Sequence, residues 1–193
     1  MLASLMIWAG CPGQASAHLV DSGFGPFYDG VAHLFVTPED VLVVLAMALL
    51  AGLGGKRHGS SVLFLLPLAW LAGAVAGRLN PLATARPILS AGLLIGTGAL
   101  VALDRRLSLR FVGGFALLTG FTQGFFNGAA LAAVNSSNLA IGGIVCAVFV
   151  AVALVAGQVV SLQKEWARIT VRVAGSWIGA IGLLMLGWAV RKG

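Results

Sequence analysis

The sequence predicts an all-α membrane protein, in which a cleaved signal peptide precedes a bundle of six transmembrane helices packed through glycine. Three observations lead there. Of 193 residues, 59% are hydrophobic and only 9% charged, with a mean hydropathy of +1.00, whereas an ordinary soluble domain is about one quarter charged. The apolar residues gather into runs of roughly 17 to 25, the length that crosses about 30 Å of hydrocarbon. These runs lack the two-residue alternation of barrel strands, so helices are left to satisfy every backbone N–H and C=O inside lipid.

The chain opens with "MLASLMIWAGCPGQASA", residues 1–17. A short apolar stretch ending in Ala15-Ser16-Ala17 is the small-x-small pattern that precedes signal-peptide cleavage, which would make His18 the mature amino terminus. A competing reading takes "WAGC" as a lipoprotein box with lipidation at Cys11; against it, Trp8 stands where a small aliphatic residue is expected. Cys146 lies alone in an apolar run, so one mature chain can form no disulfide, and no Cys-x-x-Cys metal motif exists.

The remaining residues, 18–193, form a single membrane domain. Residues 18–37 read as an extracytoplasmic segment with acids and no Lys or Arg. Six spans follow, at about 38–54, 61–77, 86–103, 111–134, 138–161 and 169–190, with ends good to about two to four residues. Thr37 is a favoured N-cap, Pro38 a favoured first helical residue, and Asp40 completes an approximate capping box. Glycines pair at small-xxx-small spacing: Gly73 with Gly77, Gly92 with Gly96, Gly175 with Gly179, and the series Gly120, Gly124, Gly128. Such spacing lets helix backbones approach closely, which is how membrane helices associate. Trp166 and Trp188, near the ends of the last span, suit the membrane interfaces.

The net charge of +6 and pI near 10.4 do not mark a nucleic-acid binder, because the basic residues sit in small groups between the spans. They set topology. With the mature N-terminus outside, Lys56, Arg57, Arg105, Arg106, Arg110, Lys164, Arg168 and Arg172 fall on the cytoplasmic side, against Arg78, Arg86, Arg191 and Lys192 outside.

Three groups of residues could handle a ligand. Glu39 and Asp40 meet the positive end of a helix dipole, which accounts for them as a helix start; with His33 just upstream they also compose a cation site, since divalent metals bind imidazole and carboxylate together. Thr119, Gln123 and Asn127 recur every four residues and share one helical face. They either hydrogen-bond to neighbouring helices or line a cation path. A free amino-terminal His18 could chelate a metal through its amine and ring, assisted by Asp21. His58 stands beside Lys56 and Arg57, whose charge disfavours a metal there. Nothing pairs a nucleophile with a base or resembles a phosphate loop or redox site, so the expectation is a protein that is no enzyme and holds no prosthetic group.

The segment "GVAHLFVTPEDVLVVLAMALLAGL" (Gly30 to Leu53), preceded by a leader ending in Ala17-His18, resembles the first helix of the HupE/UreJ family of small membrane proteins. That family is associated with nickel or cobalt supply to hydrogenase and urease systems. It carries a His-x5-Asp-His motif at its first helix and a Phe-His-Gly-x-Ala-His-Gly motif in a later one. Aligned without a gap, His33 matches the first histidine, Glu39 falls at the aspartate and Asp40 at the second histidine; with one inserted residue, Asp40 matches the aspartate and Val41 replaces the histidine. "FNGAALA" (Phe126 to Ala132) resembles the second motif, with Asn127 and Leu131 at its histidine positions. The resemblance implies an integral permease of the bacterial inner membrane, with a divalent transition metal, nickel or cobalt, as substrate. Its alternative is a non-transporting metal-binding or metalloenzyme-assembly accessory. The implied partners are the lipid bilayer, the metal ion, and either a second copy of the chain or metalloenzyme-maturation proteins.

Overall fold

The computed structural model describes residues 22–81, 83, 87–162 and 164–192. The expected signal peptide, His18 and Asp21 lie outside the described residues, as does Arg86. Among the described residues the fold is all helical: α1 (Pro26–Val36), α2 (Pro38–Leu53), α3 (Lys56–Arg78), α4 (Pro87–Leu103), α5 (Leu109–Ala133), α6 (Asn138–Val160) and α7 (Glu165–Lys192). This is a membrane protein. α3, α6 and α7 are each long and apolar enough to cross a bilayer, and α1 with α2 makes a fourth such element if the bent pair counts as one span. α4 is apolar but short, 17 residues, and α5 owes its lower hydropathy to Arg110, Gln123, Asn127 and its glycines. Large apolar side chains such as Phe64, Leu154, Trp177 and Leu184 are exposed on the outside, as lipid-facing residues are.

Helices α2 to α7 cover the six apolar runs. The addition is α1, an 11-residue helix within residues 18–37, the expected acidic extracytoplasmic segment to which the sequence assigns no helix. Pro26 occupies its first turn and Asp29 accepts the Ser22 backbone N–H at 2.8 Å. Its stability comes from packing on α6. A Cβ on Gly30 would overlap the Ala140 carbonyl oxygen, and one on Gly143 would overlap that of Phe27, so two glycines let these backbones cross.

An 80° bend separates α1 from α2. Pro38 causes it: proline offers no N–H to continue the α1 ladder and holds the preceding residue extended, and Thr37 sits at φ −97°, ψ 93°. The expected capping box does not form. The Thr37 hydroxyl donates back to the His33 carbonyl at 3.0 Å, which completes the end of α1, and no side chain caps α2. Asp40 turns inward instead.

Glycine sets the other helix pairs. α5 lies along α3 with Gly120, Gly124 and Gly128 against the Leu66, Trp70 and Ala74 carbonyls, while Gly73 and Gly77 of α3 meet those of Phe121 and Phe125. α4 pairs with α7, but through Gly98 rather than the expected Gly92 and Gly96. Gly98 faces Gly175 and Gly179, whereas nothing approaches Gly92. The centre of the bundle is α2, which touches every other helix and buries Val43, Val44, Ala46, Met47, Ala48 and Ala51 almost completely. The glycines of α5 commit it to α3, and its polar face reaches α2 through Gln123 and Asn127.

Candidate functional site

The bend at Thr37 aims two helix ends at the polar face of α5. Asp40, only 3% exposed, accepts a hydrogen bond on each carboxylate oxygen. Gln123 Nε2 donates to Oδ1 and Asn127 Nδ2 to Oδ2, both at 2.8 Å. Asn127 Nδ2 also donates to the Gln123 carbonyl at 2.9 Å, one turn back along α5. His33 Nε2 lies 3.0 Å from Asn127 Oδ1. One chain of hydrogen bonds therefore joins α1, α5 and α2.

The polarity of that chain follows from donor chemistry. A carboxylate only accepts, so Asn127 must turn its NH2 to Asp40 and its oxygen to His33. That oxygen needs a donor, which places the proton on His33 Nε2. In the neutral ring the lone pair is then on Nδ1, where a metal or a proton could be taken up.

Beside the chain lies a cavity of about 190 Å³ bounded by His33, Thr37, Glu39, Asp40, Ser90, Gln123, Phe126, Asn127 and Ala130. Glu39 is half-buried and makes no hydrogen bond or ion pair among the described residues. The cavity thus joins one imidazole, two carboxylates, two amides and two hydroxyls. It is not a finished metal cage: among the described residues no group of three or more His, Cys, Asp or Glu could hold a metal ion.

Of the residues singled out in the sequence, the structure brings His33, Glu39, Asp40, Gln123 and Asn127 to this place. Thr119 is wholly buried one turn beyond Gln123, does not border the cavity, and its hydroxyl has no partner among the described residues. Leu131, at a motif histidine position, is buried in the apolar core. Sequence reasoning missed Ser90, a buried hydroxyl that α4 contributes. Its only signal was a polar residue early in a strongly apolar span.

Comparison with known families gives a match to the HupE / UreJ protein family over residues 5–185. The chain belongs to the HupE/UreJ family. No curated protein and no solved structure matches it. In this HupE/UreJ protein, the residues that the resemblance sets at motif histidine positions include Asn127 and either Asp40 or, with one inserted residue, Val41. Asn127 and Asp40 bind each other across 87 residues of sequence.

Proposed function

We propose that this HupE/UreJ protein is an inner-membrane permease for a divalent transition-metal ion of the nickel or cobalt type, with its mature N-terminus outside after removal of residues 1–17. The observation that carries the proposal is Asp40. An ionisable group inside a membrane bundle is costly to keep and marks an ion pathway by default, and this one faces a cavity with His33 and with Glu39, which has no partner among the described residues. On this reading the ion enters between Glu39 and His33 Nδ1, then exchanges its water for Asp40 and the amide oxygens. The face of Gln123 and Thr119 passes it inward. Residues 38–54, 61–77, 86–103, 111–134, 138–161 and 169–190 act as six spans, His18 and Asp21 collect the ion outside, and the metal is cargo for a protein that is neither an enzyme nor a holder of a prosthetic group.

A second reading, a non-transporting metal-binding or metalloenzyme-assembly accessory, is favoured by two observations. Asp40 already accepts on both oxygens, and no ready cluster of three metal ligands exists among the described residues. Uptake of radioactive nickel, cobalt and zinc separates the two, measured in cells lacking their own importers with and without the protein. The permease reading expects uptake of at least one metal above background and a loss of about tenfold or more in His33→Ala, since a direct ligand should count at least as much as an outer-shell partner. Background uptake by a membrane-inserted parent protein would leave the accessory reading standing. The leader is checked separately: the intact mass of protein purified from a bacterial membrane should lack the first 17 residues, and a full-length mass would remove both the leader and the His18 site.

A further inference from the structure

A second cavity lies at the opposite end of the bundle, among the basic turns. It has a volume of about 480 Å³ and is bordered by α2, α3, α5, α7 and the loop from Asp104 to Ser108. That loop is fastened at two points. Asp104, at φ +44°, takes a bidentate hydrogen bond from Arg168 Nη2 and Nε, the shortest at 2.8 Å. Further on, His58 Nε2 lies 3.2 Å from the Leu107 carbonyl. Between the two fastenings stand Arg105 and Arg106, both at the cavity edge, both exposed, and neither with a hydrogen bond or ion pair among the described residues. Nearby Arg172 is already occupied, donating from Nε to the Ala102 carbonyl at 3.0 Å.

The charge at the cavity is not balanced from within. Asp104 offsets Arg168, which leaves Arg105 and Arg106 as a positive excess. Leu53, Leu107 and Val112 supply apolar wall. Paired guanidinium forks match the oxygens of a phosphate group better than a point cation would. A phosphate with no hydrocarbon would waste the apolar wall, and the cavity lies at the end of the bundle where the basic residues Lys56, Arg57, Arg105 and Arg106 gather. Basic pockets between helices on the cytoplasmic side are where anionic lipid headgroups dock.

We propose that this cavity is a binding site for the phosphate headgroup of an anionic phospholipid, with Arg105 and Arg106 holding the phosphate and the wall of Leu53, Leu107 and Val112 receiving the start of an acyl chain. The site does not depend on what the cavity at Asp40 carries. The bound lipid ties the α4–α5 loop to α7 and α3, the three elements that the Asp104 and His58 contacts already bring together.

The test uses the purified full chain in zwitterionic detergent at fixed ionic strength, titrated with phosphatidylglycerol or phosphatidylcholine while the thermal midpoint is followed. Saturable stabilisation by phosphatidylglycerol alone is expected. In the double variant Arg105→Gln, Arg106→Gln the half-saturating lipid concentration should rise by about 30-fold, roughly fivefold for each arginine near an anionic headgroup. Should the double variant not fold, the single variants are read at about fivefold each. The control Arg57→Gln, Arg110→Gln removes the same charge from the same end but outside the cavity, and its shift should stay within about threefold because exposed charges are screened by salt. Equal shifts in the two double variants would reduce the effect to general surface attraction and overturn the site. Inorganic phosphate in the millimolar range should not displace the lipid; displacement would assign the cavity to a soluble phosphate and overturn the lipid assignment.

Discussion

Gly124→Leu is expected to lower the thermal midpoint of the purified protein by about 10 °C or more, or to prevent its folding. Even a Cβ at this position would overlap the Trp70 carbonyl oxygen. The obstacle is backbone inside α3, and it cannot rotate away as a side chain can. α3 and α5 would have to separate along the line where Gly120 and Gly128 meet the Leu66 and Ala74 carbonyls. Overpacking of a tight core costs about 1–3 kcal/mol when side chains can adjust; a forced backbone separation belongs with the rare losses above about 4 kcal/mol, and each kcal/mol moves the midpoint of a protein this size by about 2–4 °C. Gly114→Leu is the matched control. It lies on the same helix, is exposed, and meets nothing within 4 Å, so its midpoint should stay within a few degrees of the parent. Equal midpoints for the two variants would show that the α3–α5 crossing does not depend on close backbone approach.

These glycines show what the sequence carries and what it leaves out. Spacing of four residues marks a face that can be an interface, and Gly73, Gly77, Gly120, Gly124 and Gly128 are used that way. Gly92 and Gly96 have the same spacing and are not, because which face meets a neighbour is decided by the partner helix. Gly98, which α7 does meet, has Ala102 rather than glycine four residues on, so glycine pairs alone do not mark it. The apolar runs were legible because span length is a property of the run itself. α1 was not, because its 11 residues are held by a glycine crossing with α6, more than 100 positions downstream.

The site divides the same way. The residue types were visible, and so was the shared face of Gln123 and Asn127. Their direction was not. Local rules assigned Asp40 to the start of its own helix, since a threonine, a proline and an acid in that order suit a cap. The bend at Pro38 spends the Thr37 hydroxyl on α1, and the amides of α5 offer Asp40 two donors where the helix terminus offered one. Tertiary hydrogen bonds over 83 and 87 residues have no trace in a local motif.

Asp40 is where structure and transport can be separated. Asp40→Ala should cost about 2–5 kcal/mol, because it removes the acceptor from two buried amides and each orphaned donor costs about 1–3 kcal/mol. Asn127 keeps its second N–H on the Gln123 carbonyl, which holds the loss toward the lower part of that range. Asp40→Asn keeps the shape and one oxygen. Its new NH2 group faces a former donor, and Gln123 can resolve the conflict by turning its amide over, whereas Asn127 is fixed by His33 on one side and the Gln123 carbonyl on the other. The stability loss of Asp40→Asn should therefore stay near 1 kcal/mol, the net worth of a single hydrogen bond. Its charge is gone, however, and a divalent ion leaving water needs that charge more than any neutral oxygen. Metal uptake by Asp40→Asn should fall by about 100-fold, the upper end of what even an outer-shell partner contributes, while its thermal midpoint stays close to the parent. The decisive comparison is between these two variants measured side by side for midpoint and uptake. If Asp40→Asn transports like the parent, the carboxylate is only a clamp for the α5 amides, and the permease proposal loses the residue on which it rests.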